Sequence, residues 1–283
     1  MEEDLGQVAG VSDRGLRHSR NEDAMHFAVA ETDAGPVAVA IVCDGVSSAP
    51  RPHEASWTAV NTGIRLLAEG AERGDNPATI SEAAVKAAAH ALTELAGPDG
   101  SPATTWVSAV VTQRQVTVCW VGDSRAYWLA ANSANPHGPN DTIDITGGSK
   151  RVSRDDSLAE EIVAAGLASM DEALASPQAH VITRWLGADM ADPEAHVEQF
   201  SPTGPGVLLL CSDGLWNYRP EAAELASMAM PAALTRPLDA ASDLAKFALD
   251  SGGLDNITVV IIPFPPRPDA APASAAAPAS AAG

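Results

Sequence analysis

An α+β sandwich is the fold class this sequence predicts, on three observations. Short apolar runs rich in valine and isoleucine read as buried strands. Two helical patterns interrupt them after the first strands, and two more precede the last one. The resulting order of strands, helix pair, strands and helices is neither a regular βαβ alternation nor an all-β list. No repeat of solenoid type runs through the 283 residues.

The elements follow in order. Residues 6–11 and 24–43 read as strands, the second group turning at Asp33-Ala34-Gly35-Pro36 into Val37–Cys43. From His53 to Glu72, Trp57, Val60, Ile64, Leu67 and Ala71 recur at helical spacing, so this stretch is an amphipathic helix. A second helix follows, with Thr79 and Glu82 placed as a capping box and Gly97-Pro98 as the stop signal. Thr104–Thr112 and Gln115–Val121 read as a hairpin, and Ala126–Ala130 continues its sheet. Residues 131–149 are a polar loop around a short strand at Thr142–Ile145, and Leu158–Ala165 is a short helix stopped at Gly166. Residues 167–205 have no clear period and read as an excursion over the surface. Val207–Cys211 is a buried strand, Pro220 opens a helix over Glu221–Met230, Leu238–Leu249 is a further helix, and Ile257–Ile262 is the last strand. Beyond it, the Pro and Ala of 263–283 lack apolar bulk and read as a disordered tail, which leaves one domain over residues 1–262.

The formal charge of −20 gives the chain a field of the wrong sign for unspecific binding to nucleic acid or an anionic membrane. Cys43, Cys119 and Cys211 all lie inside apolar runs, are odd in number and form no CxxC pair. They read as reduced core cysteines, and the setting as cytoplasmic. The acidic start MEEDLGQ has no signal-peptide character, and no apolar run is long enough to span a bilayer.

The chemistry is announced by a recurrence. Three apolar runs end in an aspartate beside a glycine: AVAIVC before Asp44-Gly45, VTVCWV before Gly122-Asp123, and GVLLLCS before Asp213-Gly214. A fourth carboxylate, Asp255, stands before the run ITVVII. A single Asp-Gly is a turn. Several strand ends meeting at one sheet edge would crowd carboxylates that repel one another unless cations neutralise them, and such hard oxygen donors suit Mg²⁺ or Mn²⁺.

The ordered set resembles the metal-dependent, type 2C serine/threonine protein phosphatases in their bacterial form. The residues that carry the resemblance are Arg17-His18-Ser19-Arg20-Asn21-Glu22-Asp23-Ala24, Cys43-Asp44-Gly45-Val46, Ala103-Thr104-Thr105, Val121-Gly122-Asp123-Ser124-Arg125-Ala126-Tyr127, Cys211-Ser212-Asp213-Gly214-Leu215-Trp216 and Asp255-Asn256-Ile257-Thr258-Val259-Val260. It implies a four-layer α-β-β-α sandwich, two antiparallel sheets flanked by helices, with a cleft for two Mn²⁺ or Mg²⁺ ions at one edge. By the resemblance, Asp44 would bridge the ions, the Gly45 carbonyl would ligate one, and Asp213 and Asp255 would complete the second ion's shell. Glu22 and Asp23 would orient waters, and Asp123 would take the third ion seen in bacterial relatives. The implied reaction is hydrolysis of phosphoserine or phosphothreonine by a hydroxide held between the ions. Two divalent ions about 3.5–4 Å apart bring the pKa of a shared water down toward about 7, so no phosphoenzyme is needed.

Two departures from the family bear on phosphate capture. The usual phosphate-binding arginine is replaced by His18, flanked by Arg17 and Arg20. Arginine grips a phosphate bidentately where histidine does not, so Arg17 is the favoured phosphate group, with Arg20 beside it. The family's histidine after the bridging aspartate is also missing: the chain has Val46-Ser47-Ser48-Ala49-Pro50. The leaving-group acid is left open between His53, a metal-held water and the proton of the phosphate itself. Trp216 stands close enough to Asp213 to line the cleft wall. The implied partner is a phosphorylated protein, the product of a bacterial serine/threonine kinase, acted on by a monomeric enzyme. The alternative is a silent or weak relative that binds a phosphoprotein as a regulator.

Overall fold

The computed structural model describes residues 1–131, 148–190 and 193–267. In chain order the elements begin with β1 (Glu2–Asp4), β2 (Ala9–Asp13), β3 (Asp23–Ala30), β4 (Val37–Asp44), α1 (Pro52–Glu72) and α2 (Pro77–Thr93). Next come β5 (Ala103–Thr104), β6 (Trp106–Val111), β7 (Val116–Val121), β8 (Arg125–Ala130), β9 (Lys150–Arg151), α3 (Leu158–Ala164) and α4 (Met170–Leu174). The chain then forms β10 (Leu186–Gly187), β11 (His196–Phe200), β12 (Gly206–Cys211), α5 (Asp213–Trp216), α6 (Ala222–Ala233), α7 (Pro237–Asp250) and β13 (Ile257–Phe264).

Two antiparallel sheets stack face to face. One has the order β1-β2-β13-β12-β8-β9 and the other β11-β7-β6-β4-β3. Side chains alternate across a strand, so a strand covered on both faces must be apolar at every position. In β4, Ala38, Ala40 and Val42 point into the core between the sheets, and Val39, Ile41 and Cys43 into the core under α1 and α2. In β12, Leu208 and Leu210 face the inter-sheet core while Val207, Leu209 and Cys211 face α6 and α7. Three apolar layers between four structural layers therefore account for the unbroken apolar runs of the sequence. Among the described residues no helix is long and apolar enough to cross a membrane.

Several expectations need correction. β8 does not continue the hairpin of β6 and β7. It pairs with β12 in the opposite sheet, the chain crossing over at Gly122-Asp123-Ser124. Asn76, rather than a Thr79/Glu82 box, caps α2, its side chain accepting from Ala78 N and Thr79 N at 3.0 and 3.2 Å. A capping box stands instead at Ser169 and Glu172 before α4, inside the stretch read as a surface excursion without a clear period. That stretch also holds β11, an edge strand on β7. Trp57 faces outward from α1 at 46% exposure, because the buried stripe of that helix runs through Ala55, Ala59, Val60, Ile64 and Leu67. The strand expected at Thr142–Ile145 lies outside the described residues.

The segment from β9 to β10 forms a small annex held mainly by polar contacts. The buried Arg125 guanidinium bonds Asp155, with Nε to Oδ1 at 2.9 Å and Nη2 to Oδ2 at 2.6 Å. Asp156 accepts from Gly122 N at 2.9 Å and lies 2.9 Å from His196 Nε2, whose ring stacks on Trp120. Glu160 takes Arg151 and Arg154. The annex's own apolar cluster is only Ala159, Ala173 and Ala179 with Ile162 and Val163 against it.

The end of the domain also shifts. β13 continues past Ile262 to Phe264, which is buried edge-on against Trp128 at 5.7 Å, and Pro266 O accepts from Gln113 Nε2 at 2.8 Å. Residues 263–266 thus belong to the folded unit, because Phe264 fills the inter-sheet core. Removing this side chain in Phe264→Ala should cost about 3 kcal/mol of stability, the usual penalty for emptying a buried aromatic site. Urea unfolding measures it. A midpoint unchanged from the parent protein would contradict the placement of Phe264.

Candidate functional site

The strand pairings bring the motif aspartates to one edge of the sandwich. In the β3–β4 pair, Asp23 is directly opposite Asp44. Asp123 follows the end of β7 in the same sheet, while Asp213 follows β12 and Asp255 precedes β13 in the other. Glycine is required at two of these turns by close backbone approach. A Cβ on Gly214 would lie 1.9 Å from Asn256 O, and one on Gly45 would lie 2.6 Å from Pro52 O and 2.8 Å from Glu22 O.

Hydroxyl groups fix the cluster's geometry. Asp23, at the start of β3, reaches across to the other sheet, where Ser212 Oγ and Thr258 Oγ1 both donate to its Oδ2 at 2.7 Å. Thr258 Oγ1 is in turn 2.8 Å from Ser12 Oγ, to which Asn21 Nδ2 donates at 2.8 Å. The peptide of Asp44 is gripped from the neighbouring strand: its N donates to Thr105 Oγ1 at 3.0 Å and its O accepts from Thr104 Oγ1 at 2.9 Å. Thr105 Oγ1 also lies 2.7 Å from Ser124 Oγ beside Asp123. Asn256 holds the loop before β3, its Oδ1 accepting from Glu22 N at 2.7 Å and its Nδ2 donating to Arg14 O at 2.7 Å and Arg20 O at 3.1 Å. No role follows from sequence for Ser212, Thr258, Thr104, Thr105 or Asn256. The available signal was their adjacency to the carboxylates in the quoted motifs.

The carboxyls act on one another. Burial pushes Asp23 up to about 6, against the lowering effect of its Thr258 and Ser212 hydrogen bonds. Burial first, and then the charges of Asp23, Asp213, Asp123 and Asp255, raise Asp44 well above the usual carboxylate range. Asp213 is raised in the same way, by burial and then by Asp123, Asp255 and Asp23. Asp123 rises to about 7, chiefly by burial and next by Asp155, with Arg125 pulling the other way.

Two oxygens of this cluster, Asp23 Oδ1 and Asp213 Oδ1, are buried without a hydrogen-bond partner. A bare buried carboxylate oxygen is costly unless a proton or a cation meets it. The donor set is all oxygen and crowded with like charge, which fits a hard divalent cation. Among the described residues no group of three or more His, Cys, Asp and Glu side chains is placed so that it could hold a metal ion by itself. An ion that keeps several waters and takes only one or two carboxylates does not need such a group.

The remaining predicted residues divide. Glu22 is adjacent on the loop, its Oε2 accepting from Ser47 Oγ at 2.6 Å while its main-chain O takes Gly45 N at 3.2 Å. His18 turns inward, Nε2 3.2 Å from Asp255 Oδ1. Arg17 is exposed on the same loop, and Arg20 turns to His53 at the start of α1. Trp216 is buried and supports the site from behind: its Nε1 donates to Asp123 O at 2.9 Å, and Arg125 lies over its ring at 3.6 Å. It therefore steadies the turn that carries Asp123 and does not line the open cleft.

Comparison with known proteins accords with this arrangement. The serine/threonine phosphatase stp of Listeria innocua is 33% identical over 161 residues, which are 56% of each chain, so this chain spans just over half the length of that relative. The Mycobacterium tuberculosis serine/threonine phosphatase PstP/Ppp superposes with a TM-score of 0.68 at 27% identity, over 90% of this chain and 96% of that one. Stp1 from Staphylococcus aureus shares the fold with a TM-score of 0.71 at 22% identity, over 93% and 97% of the two chains. The model of the family described as protein phosphatase 2C matches residues 14–247, and the chain belongs to that family.

Proposed function

We propose that the protein is a metal-dependent protein serine/threonine phosphatase. The observation that carries this reading is the group of buried aspartates from both sheets, with two bare buried oxygens. Asp44, Asp213, Asp255 and the Gly45 carbonyl would hold two Mn²⁺ or Mg²⁺ ions, and Asp123 would serve a third. When bound, such ions neutralise the charge of a phosphate monoester and make water nucleophilic at neutral pH.

The rest falls to the chain. Asp23, fixed through Oδ2 by two hydroxyls, keeps Oδ1 to orient a water, and Glu22 does the same from the loop. Side-chain nucleophiles are occupied elsewhere. Ser212 bonds Asp23, Ser124 bonds Thr105, and burial, followed by the nearby Asp23 and Asp44 charges, holds the Cys43 thiol protonated. Water is the attacking group: its oxygen bonds to phosphorus as the ester P–O bond breaks, and the proton it gives up ends on the departing serine or threonine oxygen, which leaves as the free hydroxyl. Arg17, exposed at the mouth, is the phosphate-gripping side chain, with Arg20 beside it. The substrate is a phosphorylated protein made by a bacterial serine/threonine kinase, and a monomer in the cytoplasm suffices. The name of PstP as a serine/threonine protein phosphatase, and the two manganese ions in one structure of its catalytic domain, support the same reading.

A silent phosphoprotein-binding relative is favoured by one observation: His18 rests against Asp255 where an open phosphate-binding arginine is expected. Turnover separates the two. With Mn²⁺, hydrolysis of an aryl phosphate should fall at least about a hundredfold in Asp44→Ala and in Asp213→Ala, more than the loss typical of residues that only support a ligand. Activity retained in both variants would overturn the proposal.

The crowding makes a second prediction, on stability. In the folded protein Asp23 and Asp123 keep their protons to about 6 and about 7, whereas unfolded aspartate releases its proton near 3.8. The folded state thus binds more protons between these limits, and stability falls as pH rises through them. Chelated protein should melt at progressively lower temperature from about pH 4 to about pH 7, and Mn²⁺ should raise the melting temperature more at pH 7 than at pH 5. A chelated protein that gains stability over this range would contradict the clustering.

A further inference from the structure

Beside the carboxylate cluster, two leucines face solvent where the two loops of the cleft mouth meet. Leu16 is 67% exposed and Leu254 47% exposed. Single exposed leucines are ordinary, but these two flank the site in both sequence and space. Leu16 precedes His18 by two positions and Leu254 immediately precedes Asp255, and His18 Nε2 contacts Asp255 Oδ1 at 3.2 Å.

The pair is held in place by backbone. Leu16 N donates to Gly253 O at 2.8 Å, and Leu254 N donates to the Tyr218 hydroxyl at 3.0 Å. Gly253 has φ 52°, and a Cβ there would meet Leu16 Cγ at 2.9 Å, so the 252–254 turn accepts Leu16 against it only as glycine. Charge surrounds the pair in a telling way. Arg14, Arg17 and Arg20 are exposed along the same loop of a chain whose net charge is −20. A basic, apolar rim on an acidic protein complements an acidic partner that also offers apolar side chains.

We propose that Leu16 and Leu254 form a docking subsite for an aliphatic or aromatic side chain that flanks the phosphorylated residue in an extended, acidic substrate segment. The inference deepens the phosphatase reading and rests on it. The phosphate enters toward Asp44 and Asp213 and is gripped by Arg17, a neighbouring acidic residue faces the exposed Arg14, and the flanking apolar side chain covers the two leucines. An aryl phosphate too small to reach the rim makes none of these last contacts. An open rim discriminates less than an enclosed pocket, so the expected preference is at the low end for one apolar side chain, about tenfold.

The test uses two acidic phosphothreonine peptides that differ only in carrying leucine or serine on either side of the phosphothreonine. The full-length protein with Mn²⁺ should show kcat/KM about tenfold higher for the leucine peptide, and the ratio should fall to about one in the L16S/L254S double variant. Because the ratio is internal to each protein, a general loss of activity cancels. Both leucines are exposed, so the variant retains its core. Calorimetric binding of the corresponding non-hydrolysable phosphonate peptides gives the same ratio as affinities and needs no turnover. A wild-type ratio near one, or a tenfold ratio that survives in the double variant, would overturn the subsite. Absence of aryl phosphate hydrolysis by the wild type would instead overturn the phosphatase reading, and the binding ratio would still decide the docking.

Discussion

The burial of several aspartates side by side at one edge of a sandwich is the constraint around which this structure is arranged. Each of Asp23, Asp44, Asp123 and Asp213 is pushed up chiefly by its own burial, and each feels its neighbours. A protein that gained only stability from these positions would hold neutral side chains there. The neighbourhood spends its hydrogen bonds on keeping the charges in register: two hydroxyls on one oxygen of Asp23, two threonines on the Asp44 peptide, and an asparagine across the Glu22 loop. What is left open, one oxygen each on Asp23 and Asp213, is what a cation would use.

The rest of the fold supplies rigidity to that edge. Every residue of β4 short of Asp44 is buried, as is the whole of β12, so neither strand can slip without moving a complete apolar set to the wrong layer. Asp44 and Asp213 inherit this fixed position at the strand ends. The hydroxyl link from Ser212 and Thr258 to Asp23 then locks one sheet to the other at the point where their charges meet. A loop-borne cluster would have had to be ordered by its own contacts, whereas here the cores do it.

Much of this was legible in the sequence, for identifiable reasons. A strand buried on both faces must be apolar throughout, and Val37–Cys43 and Val207–Cys211 read as such. An aspartate beside a glycine at the end of such a run marks a carboxylate on a rigid support with backbone close by, which Gly45 and Gly214 bear out. What escaped depends on distant partners. The local pattern of β8 is the same in either sheet, and only its pairing with β12 decides. The strand β11 alternates weakly because it lies at an edge. Ser212, Thr258 and Asn256 are common polar residues whose partners are more than 40 positions away in sequence. The inward turn of His18 depends on Asp255, 237 residues later, and no local rule foretells it.

The annex between β9 and β10 differs in kind from the body on which it rests. Its internal apolar cluster is three alanines with two branched residues against them, Glu160 clasps Arg151 and Arg154 within it, and its polar links to the sandwich run through Arg125–Asp155 and Asp156. Apolar layers fall apart together, but a handful of ionic clasps lets go piecemeal, and those open to water weaken as the surrounding electrolyte is concentrated. Among the described residues the annex is therefore expected to come loose ahead of any melting of the layers beneath. Since Asp155 and Asp156 grip the turn that bears Asp123, each such release also slackens one wall of the acidic cleft.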